Sequence, residues 1–402
     1  MSGLERAAPK KHKLVLTFEA AEHTAIGDDT YLLFSVGAPP TRAWQRKLCL
    51  TNGLELTYGQ VIALGGDFYG IPGQPISDGK GPDECVQRFK NAFDSLARLD
   101  ASREEVGKIL EVTQREITAV KQAIKDGKQP HEAYDALGLS LSLEWNRITG
   151  GGSAVSTWLS SWVSKDLAWL PQGRYLKLAE NNFDHFGESA LLAYAAGHTA
   201  ALQQALVARE ETGTAQVKAL EMAYAMNGFA DHFLTDLFSA GHLRVPRKKL
   251  AELVTSVPLG PGVLGSLISK FMHDEDSRFG LKVRNAEQTE WHAYGDALLF
   301  DDIDSDNLQQ VRLAVQESAN EIFGTFCSGE VPPDFRALRY VPDLKYLNDS
   351  QNPAKNFSPL FKMDGDKVLC RKDLNDLNDH NWTDAWWGWH TYELLKHYHP
   401  EI

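Results

Sequence analysis

Cysteine is scarce in this 402-residue chain: Cys49, Cys85, Cys327 and Cys370 stand far apart, and no CxxC pair occurs. That excludes a dense disulfide framework and argues against thiolate metal sites. Long apolar runs are also missing. No stretch of about 18 uncharged apolar residues appears, so no transmembrane helix is expected. The lead MSGLERAAPKKHKLVLTFEAAEH is polar and basic and develops no apolar core before a small-residue cleavage site. It does not read as a secretory signal, and cytoplasmic residence is the expectation. Positive charge is in short supply, with 41 Lys and Arg against 54 Asp and Glu and a formal net charge of -13. A long nucleic acid is therefore not expected as partner, because its phosphates demand an excess of Lys and Arg. A small phosphate ester stays open as substrate, since bound metal ions supply positive field locally. Strand-like alternation is sparse, and neither repeats nor low-complexity tracts occur.

What is present is an ordinary globular composition, 43% hydrophobic and 24% charged, in a chain long enough to bury a sizeable core. Helical periodicity dominates. Long helices are expected over 182–209, 215–240 and 308–326, and a solvated helical pair over 82–129. Glycine and proline punctuate loops at 65–81, 150–153 and 258–265. The expected architecture is mainly α: one large helical domain, 14–340, with a helical insertion at 83–145. An irregular extension, 341–402, packs on the core. Its closing segment, TDAWWGWHTYELLKHYH, reads as an amphipathic helix docked on that core, with peripheral membrane contact as the second reading.

The chemistry concentrates in ALEMAYAMNGFADHFLTDLFSAGH. This stretch is apolar nearly throughout, so a helix formed from it should lie buried. Against that background stand Asp231, His232 and Asp236. Positions i and i+4 share a helical face, which lets His232 and Asp236 aim at one point. His242 follows at the expected helix end, where Gly241 is expected to let the chain turn. Imidazole and carboxylate in this pattern are good zinc donors, and burying them without partners is expensive. A lone buried histidine is more often a satisfied core residue. Three donors in one H-x3-D-x5-H set tip the reading to metal.

In type and spacing, His232, Asp236 and His242 resemble the signature of the zinc-dependent phospholipase C/P1 nuclease family. Asp67 in GGDFYG resembles the family's acid after a small-residue loop, and the HF of NNFDHFG puts His185 at the next ligand position. The stretches LTYGQVIALGGDFYG, FADHFLTDLFSAGHLRVPR and MHDEDSRFGL are together most similar to the non-secreted bacterial and fungal phospholipase C branch. The resemblance covers patches over about half the chain and leaves out 85–145 and the tail after 340. It implies a helical enzyme holding roughly two to three zinc ions, with Asp236 bridging two of them. It also implies His23 as a ligand, with Glu19, Glu22 or Asp28 standing in for the family's N-terminal amino group. The family's later H-x3-E/D is matched in spacing by His292 and Asp296 of WHAYGD, while His273 in MHDEDS is a rival. Asp296 is the favoured acid, and the histidine stays open between His273 and His292.

The activity so implied is hydrolysis of a phosphodiester, releasing a phosphorylated head group such as phosphocholine from a phospholipid. Zinc would draw the phosphate oxygens and bring the pKa of a water toward about 7. Asp67, Asp236 and Arg244 are expected at the chemistry, with Arg244 steadying phosphate charge. Phe68, Tyr69 and Phe183 lie beside candidate ligands and would wall a pocket suited to a choline ammonium. Three other readings compete. One is a single-strand nuclease or nucleotidase of the same fold. Another is a magnesium-dependent, terpene-synthase-like diphosphate enzyme using the acids of DDIDSDN, 301–307. The third is a catalytically idle lipid-binding protein. Zinc content separates the phosphoesterase from the last two.

Overall fold

Helices form where the sequence carries their start and stop signals. Thr57 opens the helix Tyr58–Leu64 with a capping box, its hydroxyl accepting from the Gln60 amide while the Gln60 side chain accepts from the Thr57 amide. Pro82 takes the first position of Pro82–Ala97. Gly329, at φ 78°, closes Ser305–Ser328 in the left-handed conformation. The computed structural model describes residues 20–98, 103–151, 173–253, 263–348, 355–386 and 398. The chain is mainly helical, as expected, and its strands form only small antiparallel sheets. Among the described residues no helix is long and apolar enough to cross a membrane.

The helix Gly213–Asp236 is the axis of the fold. Every residue from Ala223 to Asp236 is buried, the outcome expected of a helix apolar on all sides. It packs against Gly187–Glu210, Tyr58–Leu64 and Ser305–Ser328, and one continuous core runs from Ala20 to Leu347. Its polar residues Asn227 and Asp231 are satisfied within that core. Asp231 accepts from the Tyr58 hydroxyl at 2.5 Å and from Ser318 Oγ at 2.6 Å. Asn227 Nδ2 donates to Tyr58 and Ser318, and Asn227 Oδ1 lies 2.6 Å from His198 Nδ1. His198 Nε2 reaches Glu321 at 3.1 Å. Buried polar groups so partnered fix the register of the helices they join.

The helix Ala20–Asp28 crosses Tyr58–Leu64 where two glycines meet. A Cβ on Gly27 would lie 2.6 Å from Gly59 Cα, and one on Gly59 would lie 2.1 Å from the Thr24 carbonyl oxygen. The expected insertion comprises Pro82–Ala97, Arg103–Lys125 and His131–Ile148. The first of these belongs to the core, since Phe89 meets Phe229 edge-on at 5.6 Å. The other two pack on each other. The tail read as irregular contains a three-stranded sheet of Phe361–Asp364, Lys367–Arg371 and Trp382–Thr383. Arg371 and Glu275, both fully buried, join it to the helix Val263–Phe279 with an ion pair of 2.7 Å. Apart from its first residues and Tyr398, the segment TDAWWGWHTYELLKHYH lies outside the described residues.

Candidate metal centre

Two helix boundaries differ from the sequence reading and decide how the site is built. The helix expected from 182 begins at Gly187, which leaves His185 on a 3-10 turn, Phe183–His185. The axial helix ends at Asp236, and the chain turns into a short helix, Ala240–Leu243, that carries His242. Gly241 sits inside that helix rather than turning the chain. What it provides is room: a Cβ there would lie 2.6 Å from His273 Cδ2 and 2.3 Å from Ser277 Oγ. Gly66, at φ 67°, does the same between two other histidines, where a Cβ would come within 2.4 Å of His232 and 2.9 Å of His185.

Around these close approaches the predicted donors converge. His23 comes from the first helix, Asp67 from the loop after Tyr58–Leu64, His185 from the 3-10 turn, and His232 and Asp236 from the axial helix. His242 comes from the short helix, His273 from Val263–Phe279, and Asp296 from the loop after Glu290–Ala293. Three groups form, each with its donor atoms within 4.8 Å of one another: His23, Asp67 and His232; His185, His232 and Asp236; and His242, His273 and Asp296. Asp236 lies among the imidazoles. Its oxygens are 2.8 Å from His185 Nδ1, 3.5 Å from His242 Nδ1, 3.6 Å from His232 Nε2 and 3.7 Å from His23 Nε2. His185 Nδ1 and His232 Nε2 are 3.2 Å apart, and His273 Nε2 is 2.9 Å from Asp296 Oδ2.

Beyond the His185–His232 bond, several of these atoms are close but poorly aligned to bond one another. Both Asp236 oxygens, His242 Nδ1 and Asp296 Oδ2 are buried without a hydrogen bond of normal geometry. Groups that crowd together while aiming past each other suit a cation between them. A tetrahedral zinc with bonds of about 2.0–2.2 Å spaces its donors by about 3.3–3.6 Å, in the range found here. The donor set is rich in imidazole, as zinc prefers and magnesium does not. It fits zinc.

The rings are held by their other nitrogens. His232 Nδ1 donates to the Ile62 carbonyl at 2.9 Å, so the Nε2 lone pair faces the cluster. Thr235 Oγ1 donates to backbone carbonyls of its own helix and accepts from His23 Nδ1 at 2.8 Å, turning His23 Nε2 inward. His273 Nδ1 lies 3.2 Å from Asp274 Oδ1, and Ser239 Oγ donates to Asp296 Oδ1 at 2.7 Å. Partners of this kind orient metal-binding imidazoles and raise their basicity. The sequence reading missed Thr235, Ser239 and Asp274. Thr235 and Ser239 lie inside the motif itself, and their small hydroxyls on a buried apolar stretch were the available signal.

The electrostatics follow from burial and crowding. Burial drives His23 down to about 4 and His232 well below the usual imidazole range. Burial also works to lower His185, but Asp236 outweighs it and lifts the group to about 9. Asp236 would be raised by burial, yet His232 and His185 hold it well below the usual carboxylate range. Burial is likewise outweighed at Asp296, which His273 holds at about 2. Burial pushes Asp67 up to about 7, with His185 opposing. Asp67 and Asp296 are the partly buried members of their groups, though the Asp296 side chain itself is only 4% exposed.

Several expectations are corrected. His292 stands outside the cluster, on the strand Glu290–Ala293, where its Nε2 meets the Phe279 carbonyl at 3.1 Å. His273 takes the place left open between them. Arg244 does not face the cluster as a spare cation: it is bound to both oxygens of Asp276 at 2.6 and 2.9 Å and donates to the Phe357 carbonyl. Glu22 accepts from the Ala297 and Leu299 amides and Asp28 from the Gly59 amide, the donor group of His23 is completed by Asp67 and His232, and Glu19 lies outside the described residues. Phe68 is buried against Trp145 and Tyr175, and Arg174 covers the ring of Tyr69 at 4.3 Å. Neither ring is open to a choline group. Within 301–307, Asp304 caps the Tyr294 amide and Asp301 pairs with His131. No metal-type group forms there among the described residues. No family model, curated protein or solved structure matches this chain.

Proposed function

We propose that this chain is a zinc-dependent phosphoric ester hydrolase acting on a small or lipid phosphodiester in the manner of the phospholipase C/P1 nuclease family. One observation carries the reading: buried imidazoles and carboxylates crowd into three groups near tetrahedral zinc spacing, and both Asp236 oxygens, His242 Nδ1 and Asp296 Oδ2 find no well-aligned hydrogen bond there. Asp236, flanked by four imidazoles, is the carboxylate placed to be shared between ions. Zinc held by these residues would supply positive charge for phosphoryl oxygens and a nucleophile near neutral pH. Asp67, the partly buried acid beside His23 and His232, would orient the attacking water by hydrogen bonding. The net charge of -13 disfavours a long polyanionic strand, which keeps the nuclease reading second.

The test combines composition with activity. Protein purified without chelator should carry roughly two to three zinc ions per chain and should cleave short-chain phospholipid or a nitrophenyl phosphodiester faster than single-stranded DNA. Asp236→Asn should lose metal and activity while keeping its helical circular dichroism. Less than about one zinc per chain, or a fully active Asp236→Asn protein, rules the reading out.

A further inference from the structure

Arg247 opens the helix Arg247–Leu253, three residues past Arg244. Its Nη2 donates to the Ala179 carbonyl at 2.7 Å, while Nε is buried with no acceptor. No acid among the described residues forms an ion pair with it. Burial alone lowers its pKa to about 10, so the guanidinium stays charged near neutrality. Its neighbours differ: Arg244 is neutralised by Asp276, and Lys248 by Asp78 at 2.5 Å. Arg247 is partly buried, and a cation withdrawn from water without a counter-ion is costly. In a chain with a net charge of -13 it is also unexpected, because acids are plentiful.

Its position gives the reason. The guanidinium lies over Phe186, with Cζ 5.3 Å from the ring centre. The same ring lies 4.7 Å from the His242 imidazole and 6.3 Å from that of His273. A single aromatic ring therefore separates this unpaired cation from one of the three donor groups. Resting on the hydrolase reading above, we propose that Arg247 binds a second anionic group of the substrate, a carboxylate or phosphate beside the phosphoryl group held at the metal centre. A guanidinium suits this task, since its planar fork matches carboxylate and phosphate oxygens. The preferred substrate then carries negative charge beyond its phosphodiester, and a zwitterionic choline head group is the poorer fit.

The competing role is structural, as a cap on the Ala179 carbonyl. Calorimetric titration of the zinc-loaded protein separates the two, using O-phosphoserine and phosphoethanolamine, which differ by one carboxylate. Wild type should bind phosphoserine about 10-fold more tightly or better. Arg247→Gln keeps a donor for Ala179 but removes the charge. It should bind both compounds alike, with zinc content and melting temperature unchanged. Equal affinities in wild type overturn the proposal, as does a preference that survives Arg247→Gln. The titration reads binding alone, so its failure is distinct from a failure to hydrolyse.

Discussion

A histidine is made a ligand by what its second nitrogen holds. His232 is fixed by Ile62, His23 by Thr235 and His273 by Asp274, each leaving the other nitrogen toward the cluster. His292 spends its Nε2 on a backbone carbonyl away from it. His273→Ala should therefore lower zinc affinity by at least about 10-fold, measured by competition with a chromogenic chelator. His292→Ala should leave zinc affinity unchanged, and a loss equal to that of His273→Ala would reverse the assignment. The sequence made His232 and Asp236 legible because a helical i, i+4 pair needs no tertiary knowledge. The same spacing at His292 and Asp296 could not choose between His292 and His273, because there the chain is a strand and a turn and only Asp296 reaches the cluster. Arg244 and Arg247 could not be told apart either, because the acid that neutralises Arg244 lies 32 residues away.

At the scale of elements, the C-terminal sheet braces the helix that supplies His273. Arg371 reaches from the sheet to Glu275, and Tyr398 also donates to Glu275. Removing one partner of a fully buried ion pair leaves a stranded charge and costs about 3–5 kcal/mol. Arg371→Met should show that loss in urea denaturation, whereas Glu275→Leu with Arg371→Met should recover most of it. A double substitution as damaging as the single one would mean that the pair does more than neutralise itself. The three long helices were readable to within a few residues from apolar periodicity. The sheet was not read, although Gly365-Asp366 between the apolar-bearing segments LFKM and KVLC is a hairpin signal. Its Asp- and Asn-rich surroundings masked it.

At the scale of the whole molecule, the donors come from segments spread between His23 and Asp296, so a metal ion would tie most of the fold together. Ligands that bind only the folded chain stabilise it in proportion to the logarithm of their concentration over Kd. Chelation should lower the melting temperature by at least about 5 °C, and zinc should restore it where magnesium does not. An unchanged melting temperature would place the donors in a site that metal does not bridge. The helical class was legible from composition and period alone. The meeting of eight remote side chains was legible only through resemblance, because no local pattern reports which distant segments touch.

The glycine crossing between the first two helices carries a consequence for inheritance. Gly27 is one turn after His23, and Gly59 lies in the helix that leads to the Asp67 loop. Any side chain at either position wedges the helices apart and drags His23 from Asp236. In a screen for inactive alleles, changes at these two glycines would be scored alongside those at the histidines, though neither residue offers a donor atom.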